Sequence, residues 1–340
     1  MRAERQLGAA ISNEIASSLG CCLTPRNDKC MSKILVTGGA GFIGSNLVKE
    51  LVKQGHQVCV IDNLLTGKKE NLAPVASQIT FIEGSILEED KINQAIQGVD
   101  YVFHVAALPS VPRSINEPLA SLENNIGITL KILLKSVEYK VKKLIYSSSS
   151  SIYGDQAAKI KSEDLPPVPL SPYAIYKNAG EQLCRVFSQI HNLPTVCLRY
   201  FNVFGPNQDP DSPYSAVIPL FIKRILKGEQ PTINGDGSIS RDFTYVDNNV
   251  RANILAMESS QVGHGEIINI ACGQSISLDQ LVEEINACLG TSVKPVHGPE
   301  RAGDIKRSLA DIGKAKQLLG YEPLVDFKEG LKKTVKHYQQ

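Results

Sequence analysis

Short apolar runs alternate with longer amphipathic stretches along the chain from residue 33 onward. The short runs are rich in β-branched residues, which predicts buried strands at Ile34–Thr37, Gln57–Asp62, Ile79–Glu83, Tyr101–His104, Lys143–Ser147 and Thr195–Arg199. The stretches between them predict helices, which run from a glycine-rich turn to about Gln54 and over Glu88–Gln97, Pro118–Tyr139 and Tyr173–His191. Strands and helices that alternate in this way form right-handed crossovers. The pattern therefore predicts an α/β fold with a doubly wound parallel sheet.

The alternation weakens after Arg199, where residues 205–213 form a loop rich in glycine and proline. We predict a sheet domain over residues 32–201. Residues 202–340 form mainly a smaller α/β domain that closes on the open edge of the sheet and can return strands or helices to it. Residues 1–31 lack periodicity and predict a disordered extension. Glu4 and Glu14 argue against a targeting segment there.

The composition excludes several classes of protein. The chain is 42% hydrophobic and 21% charged, with a formal net charge of +1, so nothing indicates a nucleic-acid or membrane-surface partner. No apolar run approaches the roughly 20 residues of a spanning helix. The eight cysteines are scattered, without a Cys-x-x-Cys pair or a histidine cluster. This favours free thiols, a cytoplasmic location and no metal site.

A glycine-rich turn, Thr37–Gly44, follows the first strand and opens the first helix. Gly38 and Gly41 allow a tight turn and close approach to a pyrophosphate, and Gly44 allows the helix to pack against the strand. Phe42 and Ile43 begin the helix, whose free N–H groups face the phosphates. This context predicts a Rossmann-like dinucleotide site.

The second strand ends at Asp62, 18 residues after Gly44. A carboxylate at this position accepts hydrogen bonds from the adenosine ribose hydroxyls and repels a 2′-phosphate. No arginine stands beside it, and Lys68 and Lys69 come several residues later. The predicted cofactor is therefore NAD and not NADP.

Tyr173 and Lys177 are four residues apart on a predicted helix, so they lie on the same face. A phenol is a poor base at neutral pH, but nearby positive charge favours its phenolate form. Tyr173 can then remove a hydroxyl proton while the carbon gives its hydride to NAD. Ser149, at the end of a predicted strand, can hold the same oxygen. We predict these three residues as the catalytic group.

With these motifs in place, the chain resembles the extended short-chain dehydrogenase/reductase family and, within it, the UDP-hexose 4-epimerases. The similarity extends from about Lys33 to the C-terminus. Besides the residues above, it rests on Asp62-Asn63, His104–Ala107, Ser147–Ser149, Tyr153-Gly154, Ser171–Tyr173, Arg199–Pro206, Arg241–Phe243 and Arg301-x-Gly303-Asp304.

The resemblance implies further roles. Around the cofactor it implies Asn63, Ser85, Ile86, Ala106, Asn125 and Phe201, with Ser85 standing where the family usually has Asp. For the substrate, Asn202 binds a phosphate of UDP, Arg241 and Arg301 clamp the diphosphate, and Asp304 holds the uridine ribose. Ser149, Ser150, Ala216, Val217 and Ser308 complete the implied substrate site. A homodimer is also implied, through the helices near Pro118–Tyr139 and Tyr173–His191.

The implied reaction is redox-neutral. Tyr173 takes the proton of the sugar 4-hydroxyl, NAD takes the C4 hydride, and the 4-keto sugar turns over before the hydride returns to its other face. Dehydration is disfavoured because Ser150-Ser151 occupy the places of the Asp-Glu pair of the dehydratases. UDP-uronate epimerases and decarboxylases remain alternatives. A non-catalytic NAD-sensing scaffold is a further alternative, although this chain keeps Tyr173, Lys177 and Ser149.

One position bears on the sugar. Epimerases restricted to plain hexoses carry a bulky Tyr four residues after the Asp of Arg-x-Gly-Asp, and here that residue is Ser308. A small residue leaves room for an N-acetyl group, and Ala216 and Ser150 are small as well. The predicted activity is the interconversion of UDP-N-acetylglucosamine and UDP-N-acetylgalactosamine, with some activity on UDP-glucose and UDP-galactose because steric fit discriminates weakly. UDP-glucose 4-epimerase proper is the nearest alternative.

Overall fold

The computed structural model describes residues 31–211, 216–299 and 307–339. Its strands are β1 Lys33–Thr37, β2 Gln57–Asp62, β3 Ile79–Glu83, β4 Tyr101–His104, β5 Lys143–Ser149, β6 Thr195–Tyr200, β7 Val203–Phe204, β8 Thr232–Asn234, β9 Ser240–Arg241, β10 Thr244–Tyr245, β11 His264–Ile270, β12 Ile276–Ser277, β13 Val296–Gly298 and β14 Arg307–Ser308. Its α-helices are α1 Phe42–Lys53, α2 Glu89–Ile96, α3 Val111–Asn116, α4 Pro118–Leu122, α5 Ile128–Glu138, α6 Pro172–His191, α7 Val217–Leu226, α8 Val246–Glu258, α9 Leu278–Leu289, α10 Gly313–Leu319 and α11 Phe327–Tyr338.

The central sheet has seven parallel strands in the order β3-β2-β1-β4-β5-β6-β11. The chain moves outward from β1 to β3 and then crosses to the other side of β1 to form β4. The order therefore reverses between β1 and β4, and ligands of doubly wound sheets bind in the crevice beyond the carboxyl ends of such strands. The predicted Rossmann-like parallel sheet is confirmed.

The side chains of β1 show why this strand lies in the centre of the fold. Ile34 and Val36 pack on one face of the sheet with Leu47 of α1. Leu35 points to the other face, where Ile132 of α5 belongs to the same buried cluster. A strand with apolar residues on both faces must be covered by helices on both sides, as parallel sheets are.

The region predicted as one helix over Pro118–Tyr139 contains a π-helical turn at Glu123–Gly127 between α4 and α5. Such a turn inserts a residue into the helix, and the spacing of apolar residues gives little sign of it. Asn125 lies in this turn and is buried. β5 continues to Ser149, two residues beyond the predicted end, before the 3₁₀ turn Ser150–Tyr153.

The second half of the chain forms small sheets, β8 with β13 and β9 with both β12 and β14. Its strand β11, however, joins the central sheet beside β6. The division at residues 201 and 202 stays a prediction, and all but the last residue of the predicted extension at residues 1–31 lie outside the described residues. Within the described ranges, no helix has the length and hydropathy to cross a membrane, and Cys59, Cys184, Cys197, Cys272 and Cys288 are free thiols.

Candidate active site

The glycine turn brings two loops of the sheet into direct backbone contact. Gly38 has a φ of +68°, and a Cβ there would lie 2.7 Å from the Cα of Ala106, the second residue after β4. A Cβ on Gly44 would lie 2.2 Å from the carbonyl oxygen of Gly38. Only glycine allows α1 to begin this close to β1. Gly41, the N-cap of α1, has no side chain to cap the first N–H groups of the helix, which leaves them for an anion.

A cavity of about 640 Å³ opens at this turn. It lies at the switch point between β1 and β4. The predicted residues among its described lining are Gly38, Gly41, Phe42, Ile43, Gly44, Asp62, Asn63, Ser85, Ile86, Ala106, Tyr173, Lys177 and Ala216. The structure thus brings most of the predicted cofactor residues together with two of the three predicted catalytic residues.

Asp62 stands in this wall at the end of β2. One carboxylate oxygen accepts the N–H of Ala40 at 2.9 Å, and the other accepts the N–H of Leu64 at 2.8 Å. Burial raises the pKa of Asp62, and these two hydrogen bonds oppose the rise. Each carboxylate oxygen can still accept a further hydrogen bond. The side chain is therefore positioned to receive two hydroxyl groups of a ligand.

Two predicted cofactor residues, Asn125 and Phe201, are not among the described lining of this cavity. Asn125 donates from its amide nitrogen to the carbonyl oxygens of Leu108 and Ser121, at 3.2 and 2.7 Å. It thereby holds the cavity-lining segment after β4. Phe201 is fully buried in a cluster with Tyr153, Ala271 and Ala310. Ser85 lines the cavity, where its hydroxyl accepts the N–H of Leu87 at 3.2 Å.

The first turn of α6 carries Tyr173 because the helix begins there for local reasons. Ser171 is its N-cap and accepts the N–H of Ala174 at 3.2 Å, and Pro172 occupies the first helical position. The N–H of Tyr173 donates to the hydroxyl of Ser114 at 3.1 Å. Hydrogen bonds to Ser171 and Ser114 therefore hold the backbone on which Tyr173 stands.

Tyr173, Lys177 and Ser149 form one group. Burial raises the pKa of Tyr173 to about 12, and a hydrogen bond with Ser149 opposes the rise. The Lys177 ammonium nitrogen lies 5.9 Å from the centre of the Tyr173 ring and donates to the carbonyl oxygen of Ser147 at 2.8 Å. Burial lowers the pKa of Lys177 to about 8, so the side chain still carries its charge at pH 7. A positive charge beside a buried phenol favours the phenolate.

A buried ion pair supports this group from behind. Glu181, one turn after Lys177 on α6, accepts two hydrogen bonds from Arg199, each at 2.8 Å. The cavity-lining Ser148 also donates to Glu181, at 2.5 Å. The Glu181 carboxylate raises the pKa of Lys177 and so opposes the effect of burial. The pair therefore helps keep the lysine protonated.

A second cavity of about 370 Å³ adjoins the first, and Ala216 stands in both walls. Its described lining includes the predicted substrate residues Asn202, Val217 and Arg241. Asn202 donates from its amide to the carbonyl oxygen of Asp242 at 3.1 Å. The Asp242 carboxylate is buried and accepts N–H groups from three separate backbone positions, Cys272, Gly273 and Ala310.

Ser308 lies on β14 directly opposite Arg241 on β9, and it is only 8% exposed. The pairing brings the residue predicted to affect sugar choice beside a predicted diphosphate ligand. Ser308 is not among the described residues that line either cavity. Ser150 begins the 3₁₀ turn after Ser149 and is half-buried. Arg301 and Asp304 lie outside the described residues.

The sequence interpretation missed several residues of the first cavity. One omission is the segment Asn207–Asp209, which lines the same cavity as the glycine turn although it follows β7. Lys68 follows Asp62 by several residues in the sequence, yet in the structure it lines the same cavity and forms an ion pair with Asp209 at 3.3 Å. The breaker-rich composition of residues 205–213 predicted a loop, but nothing in it indicated which part of the fold the loop would contact.

The chain belongs to the NAD-dependent epimerase/dehydratase family, whose model matches residues 34–271. It is 36% identical to a putative UDP-glucose 4-epimerase of Methanocaldococcus jannaschii, covering 89% of this chain and 97% of that protein. The UDP-N-acetylglucosamine 4-epimerase of Methanobrevibacter ruminantium, solved with UDP-N-acetylmuramic acid, is similar with a TM-score of 0.87 and 43% identity, covering 91% of this chain and 98% of that one. The UDP-glucuronic acid 4-epimerase of Bacillus cereus, solved with UDP-glucuronic acid and NAD, has a TM-score of 0.84 and 36% identity, covering 91% and 99%.

The residues present fit NAD, the cofactor of this family. Gly38, Gly41 and Gly44 line the cavity at the N-terminus of α1, where uncapped N–H groups can bind a pyrophosphate. Asp62 offers two carboxylate oxygens for ribose hydroxyls and would repel a 2′-phosphate. Tyr173 and Lys177 stand in the wall of the same cavity. When bound, NAD supplies a hydride acceptor and donor.

Proposed function

We propose that this protein is a UDP-sugar 4-epimerase that interconverts UDP-N-acetylglucosamine and UDP-N-acetylgalactosamine. The observation that carries the proposal is that Tyr173 and Lys177 line one cavity with the glycine turn, with Ser149 hydrogen-bonded to Tyr173. Such a group removes a proton from a hydroxyl group, which is the step that starts oxidation of a sugar carbon. The similar proteins reported above are named as epimerases of UDP-sugars, which supports the same class of reaction.

Each residue of the proposed site then has its own role in the reaction. Ser149 donates a hydrogen bond to the sugar 4-oxygen, and the Tyr173 phenolate accepts the proton of the 4-hydroxyl. The Lys177 ammonium stabilises the phenolate. After the 4-keto sugar has turned over, Tyr173 returns the proton to the oxygen. Arg241, in the second cavity, binds the diphosphate and keeps the nucleotide anchored during the turn.

Two features support an N-acetylated substrate. Ser308 is small and lies opposite Arg241, and the resemblance places it where epimerases restricted to plain hexoses carry a bulky Tyr. Ala216, at the junction of the two cavities, is also small. A similar structure, 43% identical to this chain, is named a UDP-N-acetylglucosamine 4-epimerase. Small side chains admit the larger sugar without strongly rejecting the smaller one, so we expect some turnover of UDP-glucose and UDP-galactose.

The test is turnover of the four UDP-sugars (glucose, galactose, N-acetylglucosamine and N-acetylgalactosamine forms) by purified protein without added NAD. Conversion of the N-acetylated pair at least as fast as the plain pair supports the proposal. Conversion of the plain pair alone keeps the mechanism and refutes the sugar assignment. If none of the four is converted by protein that contains NAD, a UDP-uronate epimerase or decarboxylase becomes the better hypothesis.

The variant Tyr173→Phe separates an enzyme from an NAD-sensing scaffold. We expect turnover to fall about 1,000-fold or more because the proton acceptor is lost, since general acid–base catalysis contributes about 100- to 10,000-fold. Folding and NAD content should stay unchanged, because the ring remains. Epimerisation at the wild-type rate would exclude Tyr173 as the base.

We also propose a homodimer that acts in the cytoplasm, in nucleotide-sugar metabolism for polysaccharide biosynthesis. Leu119 of α4 is 80% exposed, and Ile175 and Ile190 of α6 are 52% and 68% exposed. These helices contact each other and carry the apolar residues that a second copy would cover. Light scattering coupled to size-exclusion chromatography measures the mass directly, and a monomer at micromolar concentration contradicts this proposal.

A further inference from the structure

A short segment, Pro206–Asp209, forms part of the wall of the cofactor cavity, and we call it the cover loop. Its residues Asn207, Gln208 and Asp209 line the cavity together with the glycine turn. Asn207 has a φ of +70°, a conformation that asparagine tolerates better than most residues. The cover loop follows β7, whereas most of the described lining of this cavity comes from residues that precede β7 in the chain.

The cover loop is attached to the start of α1. The Asn207 amide donates to the Ser45 hydroxyl at 3.1 Å, and the Asn46 amide donates to the carbonyl oxygen of Pro206 at 3.2 Å. On its other side, Asp209 pairs with Lys68, whose N–H donates to the carbonyl oxygen of Ala40 in the glycine turn. The loop is thus joined to both sides of the site where the pyrophosphate fits.

The last turn of α11 holds the cover loop from outside. The N–H of Asn207 donates to Nε2 of His337 at 3.3 Å, and the hydroxyl of Tyr338 donates to the carbonyl oxygen of Gln208. These two contacts satisfy neighbouring backbone groups of the loop. Burial and the nearby Lys49 lower the pKa of His337, which keeps its ring neutral and able to accept. The contacts join residues 130 positions apart in the chain.

We propose that His337 and Tyr338 are positioning residues that clamp the cover loop and thereby retain NAD in its cavity. This inference rests on the proposed function, in which the cofactor returns to its starting state every turn and need never leave. Release of NAD requires the cover loop to move away from α1 and Lys68. The clamp makes that movement harder without touching the sugar site.

The experiment measures release of NADH, followed by its fluorescence after a large excess of NAD is added. Tyr338→Phe removes one hydroxyl, and His337→Leu removes the acceptor for Asn207. Each should speed release about 5-fold, the effect of one net hydrogen bond of about 1 kcal/mol, and the double variant should speed it further. His337→Gln, which keeps an acceptor, should restore slow release. Lys336→Ala, at an exposed position on the same turn, is the matched control and should release NADH at the wild-type rate.

Two companion measurements separate clamping from a general structural role. In the single variants, affinity for UDP should stay at the wild-type value, and the free energy of unfolding of NAD-free protein in urea should fall by no more than about 1 kcal/mol, the contribution of the lost hydrogen bond. The proposal is overturned if the folded double variant releases NADH at the wild-type rate. It is also overturned if NADH retention, UDP affinity and stability are all lost together in the variants. If the double variant does not fold, the rate of NADH release from Tyr338→Phe alone tests the proposal. NADH release requires no turnover, so the result does not depend on whether the proposed epimerase activity is found.

Discussion

The buried charge of Lys177 should cost folding stability in a way that depends on pH. The side chain is 4% exposed, and burial lowers its pKa to about 8 from the ordinary 10.5. Below pH 8 the lysine is charged in both the folded and the unfolded chain, so the full cost of burying the charge is present. Above pH 10.5 it is neutral in both, and that cost is gone. Between these values the unfolded chain binds more protons, so the stability contributed by this group rises with pH.

The magnitude follows from the pKa difference. One pKa unit corresponds to about 1.4 kcal/mol, so the cost is about 3 kcal/mol at pH 7 and falls below about 1 kcal/mol at pH 10. Methionine has a similar length and no charge. The free energy of unfolding of Lys177→Met minus that of the wild type should therefore be about 2.5 kcal/mol higher at pH 7 than at pH 10. The hydrogen bond to Ser147 is lost in the variant at both pH values and cancels in this difference.

The assay is urea denaturation of NAD-free wild-type and variant protein at pH 7 and pH 10, with the free energy of unfolding compared within each pH. Lys332→Met, an exposed lysine on α11, is the matched control and should show the same difference at both pH values. A Lys177→Met difference that is also independent of pH would refute the reasoning, because it would mean that the folded chain does not depress the pKa of Lys177.

Two further variants test other parts of the structure. Ser308→Tyr should reduce turnover of the N-acetylated sugars about 10-fold or more relative to the plain sugars, because under the proposed function it adds a bulky ring opposite Arg241, and equal losses by chromatographic assay count against the sugar assignment. Lys143→Met should lower the free energy of unfolding by about 2 kcal/mol, since the buried ammonium donates to three carbonyl oxygens at the end of α8. Lys142→Met changes the exposed neighbouring lysine and should lower the free energy of unfolding by less than about 1 kcal/mol in the same urea titration. Equal losses in the two variants would contradict a stabilising role of the hydrogen bonds from Lys143 to the end of α8.

The sequence by itself determined the features that depend on neighbouring residues. A strand with apolar residues on both faces, such as β1, predicts its own burial in a parallel sheet. Glycines at fixed spacing between a strand and a helix predict a phosphate-binding turn, and Tyr173 and Lys177 share a face because four residues make about one helical turn. Each of these follows from local backbone geometry, so the pattern of residues was enough.

Only the tertiary structure decided which distant segments meet at the site. Asn125 lies in a π-helical turn whose extra residue leaves the apolar pattern almost unchanged. The cover loop reaches the glycine turn because α11 and α1 hold it from opposite sides, and the contacts of Asn207 span 130 and 162 positions in the chain. Hydrogen bonds of this kind depend on the packing of the whole fold, and a single asparagine or histidine carries no local sign of its partner. The grouping of Tyr173 with Lys177 was therefore predictable from the sequence, whereas the contacts that join the cover loop to α1 and α11 were not.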